Sequence, residues 1–158
     1  MFTILQQISA PAIEVGISCP NNISKNQYEV MEDIAYALTQ VRVPVYVKLC
    51  SLELDYELLR EYCDLGIKGF VLSDSFPQNI GESMIGMSGD VIRECVINSI
   101  LQVREKGIFT EIVGTGGIFT AEHIEQYFKA GADAVGLCSC MYIYGINSVE
   151  NLTNYQGD

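Results

Sequence analysis

The stretch EIVGTGG at residues 111–117 joins a short run of β-branched residues to a glycine-rich turn. A helical pattern follows at 121–130, and a second apolar run begins at Ala134. A strand, a helix and a second strand in this order predict a βαβ unit, because parallel strands need a crossover connection of this length. The stretch therefore indicates an α/β fold with a parallel sheet.

Short apolar runs and amphipathic stretches alternate in the same way along the rest of the chain. The predicted strands cover Ala12–Ser18, Pro44–Leu49, Gly69–Ser73, Thr110–Gly114 and Ala134–Cys138. The predicted helices cover Asn26–Gln40, Asp55–Leu65, Asp90–Lys106 and Ala121–Ala130, with weaker helical signals at Thr3–Ser9 and after Met141. The repetition predicts several consecutive βα units.

Residues at the helix ends support these boundaries. Gly66, Gly107 and Gly131 each follow a helical run, where a left-handed C-terminal cap favours glycine. Thr120 precedes the last of these helices and is a typical N-cap residue. The longest irregular segment is Ser75–Ser88, whose length is as typical of a surface loop as of a lid or binding loop.

One domain over residues 1–158 accounts for the chain, because no linker, low-complexity tract or charge block divides it. Five strands with intervening helices make either a small open sheet or part of a (β/α)8 barrel. A complete barrel typically takes about 250 residues. The 158 residues have room for a little more than half of one.

The composition describes a globular, acidic protein. Hydrophobic residues make up 49% of the chain and charged residues 18%, which is ample material for a core. The 9 Lys and Arg against 20 Asp and Glu give a net charge of -11. This charge opposes binding to nucleic acid, whose phosphates need a cationic surface. A small phosphorylated ligand is still compatible, since backbone N–H groups and helix N-termini can hold its phosphate.

The cysteines and the N-terminus indicate the compartment. Six cysteines are present without a CxxC pair, and their mostly apolar surroundings argue against structural zinc and against a secreted disulfide framework. The N-terminus lacks the basic region of a signal peptide, and no apolar run approaches the roughly 18 to 20 residues of a membrane span. These features favour a reducing, cytoplasmic setting and no membrane span.

Side chains with useful chemistry follow the predicted strands. Cys19 stands in ISCPN at 17–21, where a tuned thiol can act as a general base or nucleophile; the alternative is a buried cysteine before a turn proline. Lys48 ends the second strand and either meets an anion or electron-rich cofactor atom or extends to solvent. Asp74 follows the third strand between two serines, where the alternative to a chemical role is a turn. In a parallel α/β fold such groups collect at one edge of the sheet.

Glycine-rich turns after two successive strands predict a phosphate site. Residues 114–117 (GTGG) precede a helix, and VGLCS at 135–139 ends the next strand. Glycines let the backbone approach a phosphate, and barrels build such sites after strands 7 and 8. GMSGD at 86–90 adds a third small-residue turn, for which a capped helix start is an adequate alternative. His123, in the first turn of the helix at 121–130, is interpreted as a solvated helix position rather than a catalyst.

Taken in order, the motifs resemble the dihydroorotate dehydrogenase family of flavin enzymes. They are ISCPN at 17–21, PVYVKL at 44–49, GMSG at 86–89, IVGTGGI at 112–118 and AGADAV at 130–135. The correspondence runs through nearly the whole chain with the family's spacing kept, and Cys19 is similar to the class 1 form. The resemblance implies an FMN-binding (β/α)8 barrel, of which this chain is the C-terminal part, beginning at the family's fourth strand.

The resemblance also implies a reaction and the residues that carry it. Dihydroorotate, or a related dihydropyrimidine, is oxidised to orotate in pyrimidine biosynthesis. Cys19 matches the base that removes a proton from C5 of dihydroorotate while a hydride passes from C6 to flavin N5. The implied substrate-binding residues are Asn21, Asp74 and Ser75. The implied cofactor-binding residues are Lys48, Gly89, Gly116, Gly117, Cys138 and Ser139.

The chain departs from the family's pattern in its pocket and its length. The family has asparagine where Gly16 and Asp74 stand and glycine where Cys138 stands, and the first three strands are lacking. A five-strand arc has open sheet edges, so we expect a complementary chain or a second copy to complete the barrel. One alternative function is a catalytically degenerate half-barrel that keeps a flavin or phosphate site and serves as a binding or assembly subunit. A second alternative is another phosphate-binding barrel fragment without flavin.

Overall fold

The computed structural model describes residues 10–17, 27–52, 54–73, 75–81 and 83–153 of the chain. The strands are β1 (Ile13–Gly16), β2 (Val45–Leu49), β3 (Gly69–Leu72), β4 (Phe76–Ile80), β5 (Ser83–Met87), β6 (Glu111–Thr115) and β7 (Ala134–Gly136). The helices are α1 (Gln27–Gln40), α2 (Tyr56–Asp64), α3 (Arg93–Glu105), α4 (Ala121–Ala130), α5 (Ser139–Tyr144) and α6 (Asn147–Thr153). A short 3-10 turn at Asp90–Ile92 leads into α3.

Five parallel strands form one sheet in the order β1-β2-β3-β6-β7. Each new strand of this sheet adds beside the previous one without a reversal, which is the arrangement of a (β/α)8 barrel rather than of a doubly wound sheet. The predicted α/β fold with five parallel strands is confirmed. Within the described residues β1 and β7 each pair with one neighbour only, so the sheet is an arc with two open edges.

The predicted elements are present, with differences at their ends. α4 covers the predicted range, and β6 is shifted by one residue to Glu111–Thr115. β7 ends at Gly136 rather than at Cys138, because the backbone of Cys138 already leaves the extended conformation to begin α5. The helical signal after Met141 corresponds to the end of α5 and to α6. The signal at Thr3–Ser9 lies outside the described residues.

The prediction of an irregular segment at Ser75–Ser88 is wrong, because this part of the chain contains the antiparallel hairpin β4–β5. Gly81 has a φ of 61°, and this left-handed conformation allows the tight turn between the two strands. Phe76 is buried, but the remaining residues of β4 are exposed. Because neither strand shows the alternation of a half-buried sheet, the sequence carried no signal for this hairpin.

One face of the parallel sheet packs against the helices and forms the core. Val45, Val47, Phe70, Leu72 and Ile112 on this face are no more than 2% exposed. Helices α2, α3 and α4 cover them with Leu59, Tyr62, Val96, Ile100, Val103 and Tyr127. Burial of this apolar surface is the main stabilising contribution to the fold.

The opposite face of the sheet carries charged and polar groups. The register places Glu14, Tyr46, Gly69 and Glu111 in one row across four strands. The Tyr46 hydroxyl donates to Glu111 Oε2 at 2.5 Å, and Lys68 Nζ lies 2.5 Å from Glu111 Oε1. Hydrogen bonds from Lys68 and then Tyr46 lower the pKa of Glu111, while the bond to Glu111 is the main cause of the raised pKa of Tyr46. The carboxylate is therefore held in its charged form.

Arg104 ties α3 to the amino ends of β6 and β7. Its guanidinium donates to the carbonyl oxygens of Ile108, Thr110 and Gly131 at 2.7–2.9 Å and pairs with Asp133 at 2.7 Å. Asp133 Oδ2 in turn accepts from the backbone N–H of Ile112 at 2.8 Å. This network satisfies backbone groups that would otherwise lack partners where the helix ends and the strands begin.

The predicted helix caps are confirmed. The Thr120 side chain accepts from the backbone N–H of His123, and Gly131 ends α4 with a φ of 105°. Gly66 and Gly107 adopt positive φ angles after α2 and α3. No helix in the described ranges combines the length and the apolar character needed to cross a bilayer.

Replacing Gly114 tests the contact between β6 and α4. A Cβ at this position would lie 2.7 Å from Tyr127 Cε1 and 3.1 Å from Ile100 Cδ1. We expect Gly114→Ala to lower the free energy of unfolding by about 1–3 kcal/mol, the usual cost of overpacking. Gly16→Ala is the control, because an added Cβ there meets nothing within 4 Å. Urea unfolding followed by circular dichroism measures both, and equal midpoints for the two variants would contradict the packing described.

Candidate functional site

The carboxyl ends of the five parallel strands meet at one edge of the sheet, where binding groups collect in such folds. The residues that leave the strands there are Ile17, Cys50, Ser73, Gly116 and Leu137. Ile17 donates its backbone N–H to the carbonyl of Lys48 at 3.3 Å, so the chain enters the ISCPN stretch at this edge. Cys19, Asn21 and Asp74 themselves lie outside the described residues.

Lys48 lies on the charged face of the sheet, one residue before the end of β2. Its Nζ is 3.7 Å from Glu14 Oε1, and 29% of its side chain is exposed. Gly16 lies directly opposite Lys48 in the register of β1 and β2, and an added Cβ there would meet nothing within 4 Å. A positively charged group therefore borders open space at the edge of the sheet.

The backbone after β3 is held by Thr115 of β6. Thr115 Oγ1 accepts from the N–H of Ser73 at 3.0 Å and donates to its carbonyl at 2.7 Å. Ser73 is 3% exposed. One hydroxyl thus fixes both backbone groups of Ser73, and it does so just before the position of Asp74.

Ser75 lies beside the hairpin. A Cβ added at Gly86 of β5 would lie 2.6 Å from Ser75 Oγ. The small residue in β5 therefore lets the chain after β3 pack closely against the hairpin. Of the three substrate-binding residues implied by the resemblance, Ser75 is the one that the structure describes.

The predicted glycine turns come together at this edge. Gly116 and Gly117 have φ angles of 112° and 65°, which favour glycine. A Cβ on Gly117 would lie 2.8 Å from the carbonyl oxygen of Gly89 and 2.9 Å from Arg93 Cβ. The turn after β6 and the turn before α3 are thus in contact, and there is no room for a side chain at Gly117.

Two side chains of α4 contact the glycine turn and the residues that follow it. The Tyr127 hydroxyl donates to the carbonyl of Gly116 at 2.6 Å. The backbone N–H of Phe119 donates to His123 Nδ1 at 3.2 Å, and the same nitrogen lies 3.2 Å from the carbonyl oxygen of Gly117. Burial raises the pKa of Tyr127, so its hydroxyl keeps the proton that it donates.

The interpretation of His123 as a solvated helix position is wrong. Its ring is partly buried, because the Thr120 cap turns the first turn of α4 back onto the glycine turn. Arg93 Nη1 lies 2.9 Å from His123 Nε2 and forms an ion pair with Asp90. Arg93 Nε is buried and has no hydrogen-bond partner in the described part of the chain.

The third turn contributes Cys138 and Ser139. Cys138 is exposed, and Ser139 begins α5. A Cβ on Gly136 would lie 2.6 Å from Thr115 Cγ2, so β7 approaches β6 closely just before this turn. No cluster of His, Cys, Asp and Glu able to hold a metal ion occurs within the described ranges.

Sequence reasoning missed Tyr127 and Arg93. A large aromatic residue on the buried side of a helix is normally interpreted as a core residue, and the sequence does not indicate that its hydroxyl has a separate role. The available signal was Gly114, because a glycine inside a strand often marks the close approach of another group. Arg93, at the start of a helix, reads as an ordinary exposed position.

A comparison with models of known protein families identifies the family of this chain. The family model described as dihydroorotate dehydrogenase matches residues 2–155. The chain belongs to the dihydroorotate dehydrogenase family. The resemblance found in the sequence motifs is therefore confirmed.

Curated relatives of this family align along most of the chain. The catalytic subunit of dihydroorotate dehydrogenase B (NAD(+)) from Oceanobacillus iheyensis is 28% identical, with 96% of this chain and 61% of that protein covered. The corresponding subunit from Listeria monocytogenes is 31% identical, with 80% and 47% covered. Dihydroorotate dehydrogenase A (fumarate) from Lactobacillus helveticus is 28% identical, with 83% and 48% covered. The chain thus spans about half to three fifths of the length of these relatives.

Solved structures of the family share the fold. The ligand-free DHODH from Eimeria tenella superimposes with a TM-score of 0.78 at 17% identity, covering 92% of this chain and 50% of that chain. The complex of DHODH from Eimeria tenella with ferulenol gives a TM-score of 0.77 over 92% and 48%. The five-stranded arc is therefore part of a TIM barrel.

Substitution of Thr115 tests how the backbone after β3 is held. Thr115→Val keeps the shape of the side chain but removes both hydrogen bonds to the buried Ser73 backbone, so we expect a loss of about 1–3 kcal/mol of unfolding free energy. Thr115→Ser keeps the hydroxyl and serves as the matched control. Chemical denaturation compares the two variants. If Thr115→Val proves as stable as the wild type, or Thr115→Ser proves as unstable as Thr115→Val, the assigned role is incorrect.

Proposed function

We propose that this chain forms the substrate- and cofactor-binding part of an FMN-dependent enzyme that oxidises dihydroorotate, or a related dihydropyrimidine, to orotate in pyrimidine biosynthesis. The family match over residues 2–155 supports the reaction class. The observation that carries the proposal is the contact between the Gly116–Gly117 turn and Gly89 at the carboxyl edge of the sheet. The printed names of the relatives, which include NAD(+)-linked and fumarate-linked dihydroorotate dehydrogenases, support the substrate.

The residues at this edge fit the phosphate of FMN. Two consecutive glycines with positive φ angles leave the turn without side chains, and α4, which has ten residues, begins shortly after them. Backbone N–H groups and a helix N-terminus together form a favourable environment for an anion. Gly89, Gly116 and Gly117 would line the phosphate, with Cys138 and Ser139 on the neighbouring turn. The chain's net charge of -11 does not oppose this site, since its donors are backbone groups.

Lys48 is the proposed contact of the protein with the flavin ring. Its ammonium group lies on the charged face of the sheet, next to Gly16, where the described residues leave space for a side chain. A fixed positive charge there would orient the electron-rich side of the ring and stabilise negative charge that builds up on it. When bound, FMN would accept the hydride removed from C6 of the substrate.

The proton from C5 of the substrate is assigned to Cys19. A thiol needs only a modest change in pKa to accept a proton near neutral pH, and Cys19 follows the last residue of β1 by three positions in the sequence. Asn21 would donate to the pyrimidine, and Asp74 and Ser75 would complete the substrate side of the pocket. The space at Gly16 and the acidic Asp74 distinguish this pocket from the family pattern with asparagine at both positions.

Further β/α units supplied by another chain would close the barrel. β1 and β7 each have one pairing partner in the described residues, and the charged face of the sheet carries the partly exposed Glu14–Lys48 and Glu111–Lys68 ion pairs. Additional strands would pair with the open edges, and closure of the barrel would cover the charged face of the sheet. The proposed partner is a second copy of this chain or a complementary chain of the same fold.

The five described cysteines are all free thiols, which supports assembly in a reducing compartment.

Flavin absorbance tests the proposed reaction. The purified protein should bind FMN, and dihydroorotate should bleach the visible absorbance of the bound flavin. Cys19→Ala should retain FMN but slow the bleaching roughly 10²- to 10⁴-fold, the usual contribution of a general base. Cys63→Ala is the control, because Cys63 lies on α2 and its thiol contacts Thr110 before β6, away from the carboxyl edge. A protein that binds FMN but is not bleached by dihydroorotate would contradict the proposed activity.

Sedimentation velocity tests the proposed closure of the barrel. Association of the purified chain with itself would identify the partner as a second copy. A monomer that acquires FMN only after a complementary β/α chain is added would identify the other partner. A well-folded monomer that carries stoichiometric FMN would show that no partner is needed.

A further inference from the structure

We propose that Glu14 is a positioning residue that holds the ammonium group of Lys48 for contact with the flavin ring. The inference rests on the proposed function, since it concerns the residue assigned to that ring. Glu14 belongs neither to the ISCPN stretch nor to the glycine turns. Its role follows from its position on β1, beside the end of β2.

The pairing of β1 with β2 places the two side chains on one face of the sheet. Val47 is buried against the helices, so Lys48 beside it points to the opposite face of β2. Glu14 points to the same face, because Gly16, two residues further along β1, is the register partner of Lys48. Glu14 thus lies one residue pair nearer the amino ends of the strands than Lys48. The long lysine side chain can bridge these diagonal positions.

The two side chains form an ion pair that anchors the lysine. Lys48 Nζ lies 3.7 Å from Glu14 Oε1, and Glu14 is the one carboxylate within ion-pair distance of this ammonium group in the described part of the chain. Glu111, in the same row of the sheet as Glu14, is paired with Lys68 and accepts from Tyr46 instead. The position of the Lys48 charge therefore depends on Glu14 rather than on Glu111.

An anchored ammonium group is better prepared for a ligand than a mobile one. Lysine has a flexible four-carbon stem, and fixing it before a ligand binds reduces the side-chain entropy that is lost in the complex. The pair is also partly exposed, with 29% of the Lys48 side chain and 49% of the Glu14 side chain accessible. The charge is thus held in place while one side of it remains open for contact with an electron-rich ring.

A double-mutant cycle on the reduction potential of bound FMN tests this role, with the protein in the assembled state defined by sedimentation. The potential reports the ratio of the affinities for reduced and oxidised flavin, and Lys48→Met should lower this ratio. In a Glu14→Gln background the effect of Lys48→Met should be roughly 2- to 5-fold smaller, the range expected for a partly exposed ion pair. Glu111→Gln is the matched control, in whose background Lys48→Met should keep its full effect.

The cycle separates positioning from a direct effect of the Glu14 charge on the flavin. A direct effect would add to that of Lys48→Met without changing its size, whereas positioning makes the two substitutions non-additive. Both side chains are partly exposed, so the substitutions leave the core of the protein intact.

Each outcome of the cycle decides the assignment. It is overturned if Lys48→Met does not change the potential, if its effect is the same with Glu14 and with Gln at this position, or if Glu111→Gln reduces the effect as much as Glu14→Gln does. A wild-type protein that binds no FMN overturns both this inference and the proposed function. If the coupling is present but dihydroorotate does not bleach the flavin, the proposed reaction fails while the positioning role stands.

Discussion

The contact between Tyr127 and Gly114 is the constraint on which the site depends. A glycine inside β6 lets the ring of Tyr127 lie directly on the strand, where any Cβ would overlap it. Because α4 approaches so closely, the Tyr127 hydroxyl reaches past the end of the strand to the Gly116 carbonyl. The shape of the glycine turn is therefore set from the core of the protein rather than from the surface. A rigid support of this kind lowers the entropy that a ligand would lose on binding.

The sequence predicted the parallel strands because each is a short apolar run between amphipathic helices with recognisable caps such as Thr120 and Gly131. These signals are local, and local signals predict the elements well. The hairpin at β4–β5 could not be predicted, because its strands are stabilised by pairing with each other while most of their side chains remain exposed. The early end of β7 was missed for a similar reason. Cys138 already begins the turn into α5, and the apolar pattern of the sequence does not show where the strand gives way to this helix.

The site was predicted in part. Gly89, Gly116 and Gly117 were placed together correctly, because glycines at parallel strand ends have a direct geometric meaning. Tyr127, His123 and Arg93 were not, because their roles arise from the distance between α4 and β6 and from the start of α3. Such roles depend on how closely two elements pack in the tertiary structure, and no short sequence pattern predicts that distance. Residues that line a ligand are thus easier to infer than residues that hold the lining in place.

The charged face of the sheet limits how the arc can be completed. Glu111 is held in its charged form by Lys68 and Tyr46, and Lys48 lies near Glu14 in the next layer of the same face. A partner that covered this face with an apolar surface would leave these charges in a low-dielectric interior, at a desolvation cost that their mutual attraction does not fully offset. A partner with polar side chains opposite these charged residues would avoid that cost. The charges along this face therefore favour a polar surface on any element that packs against it.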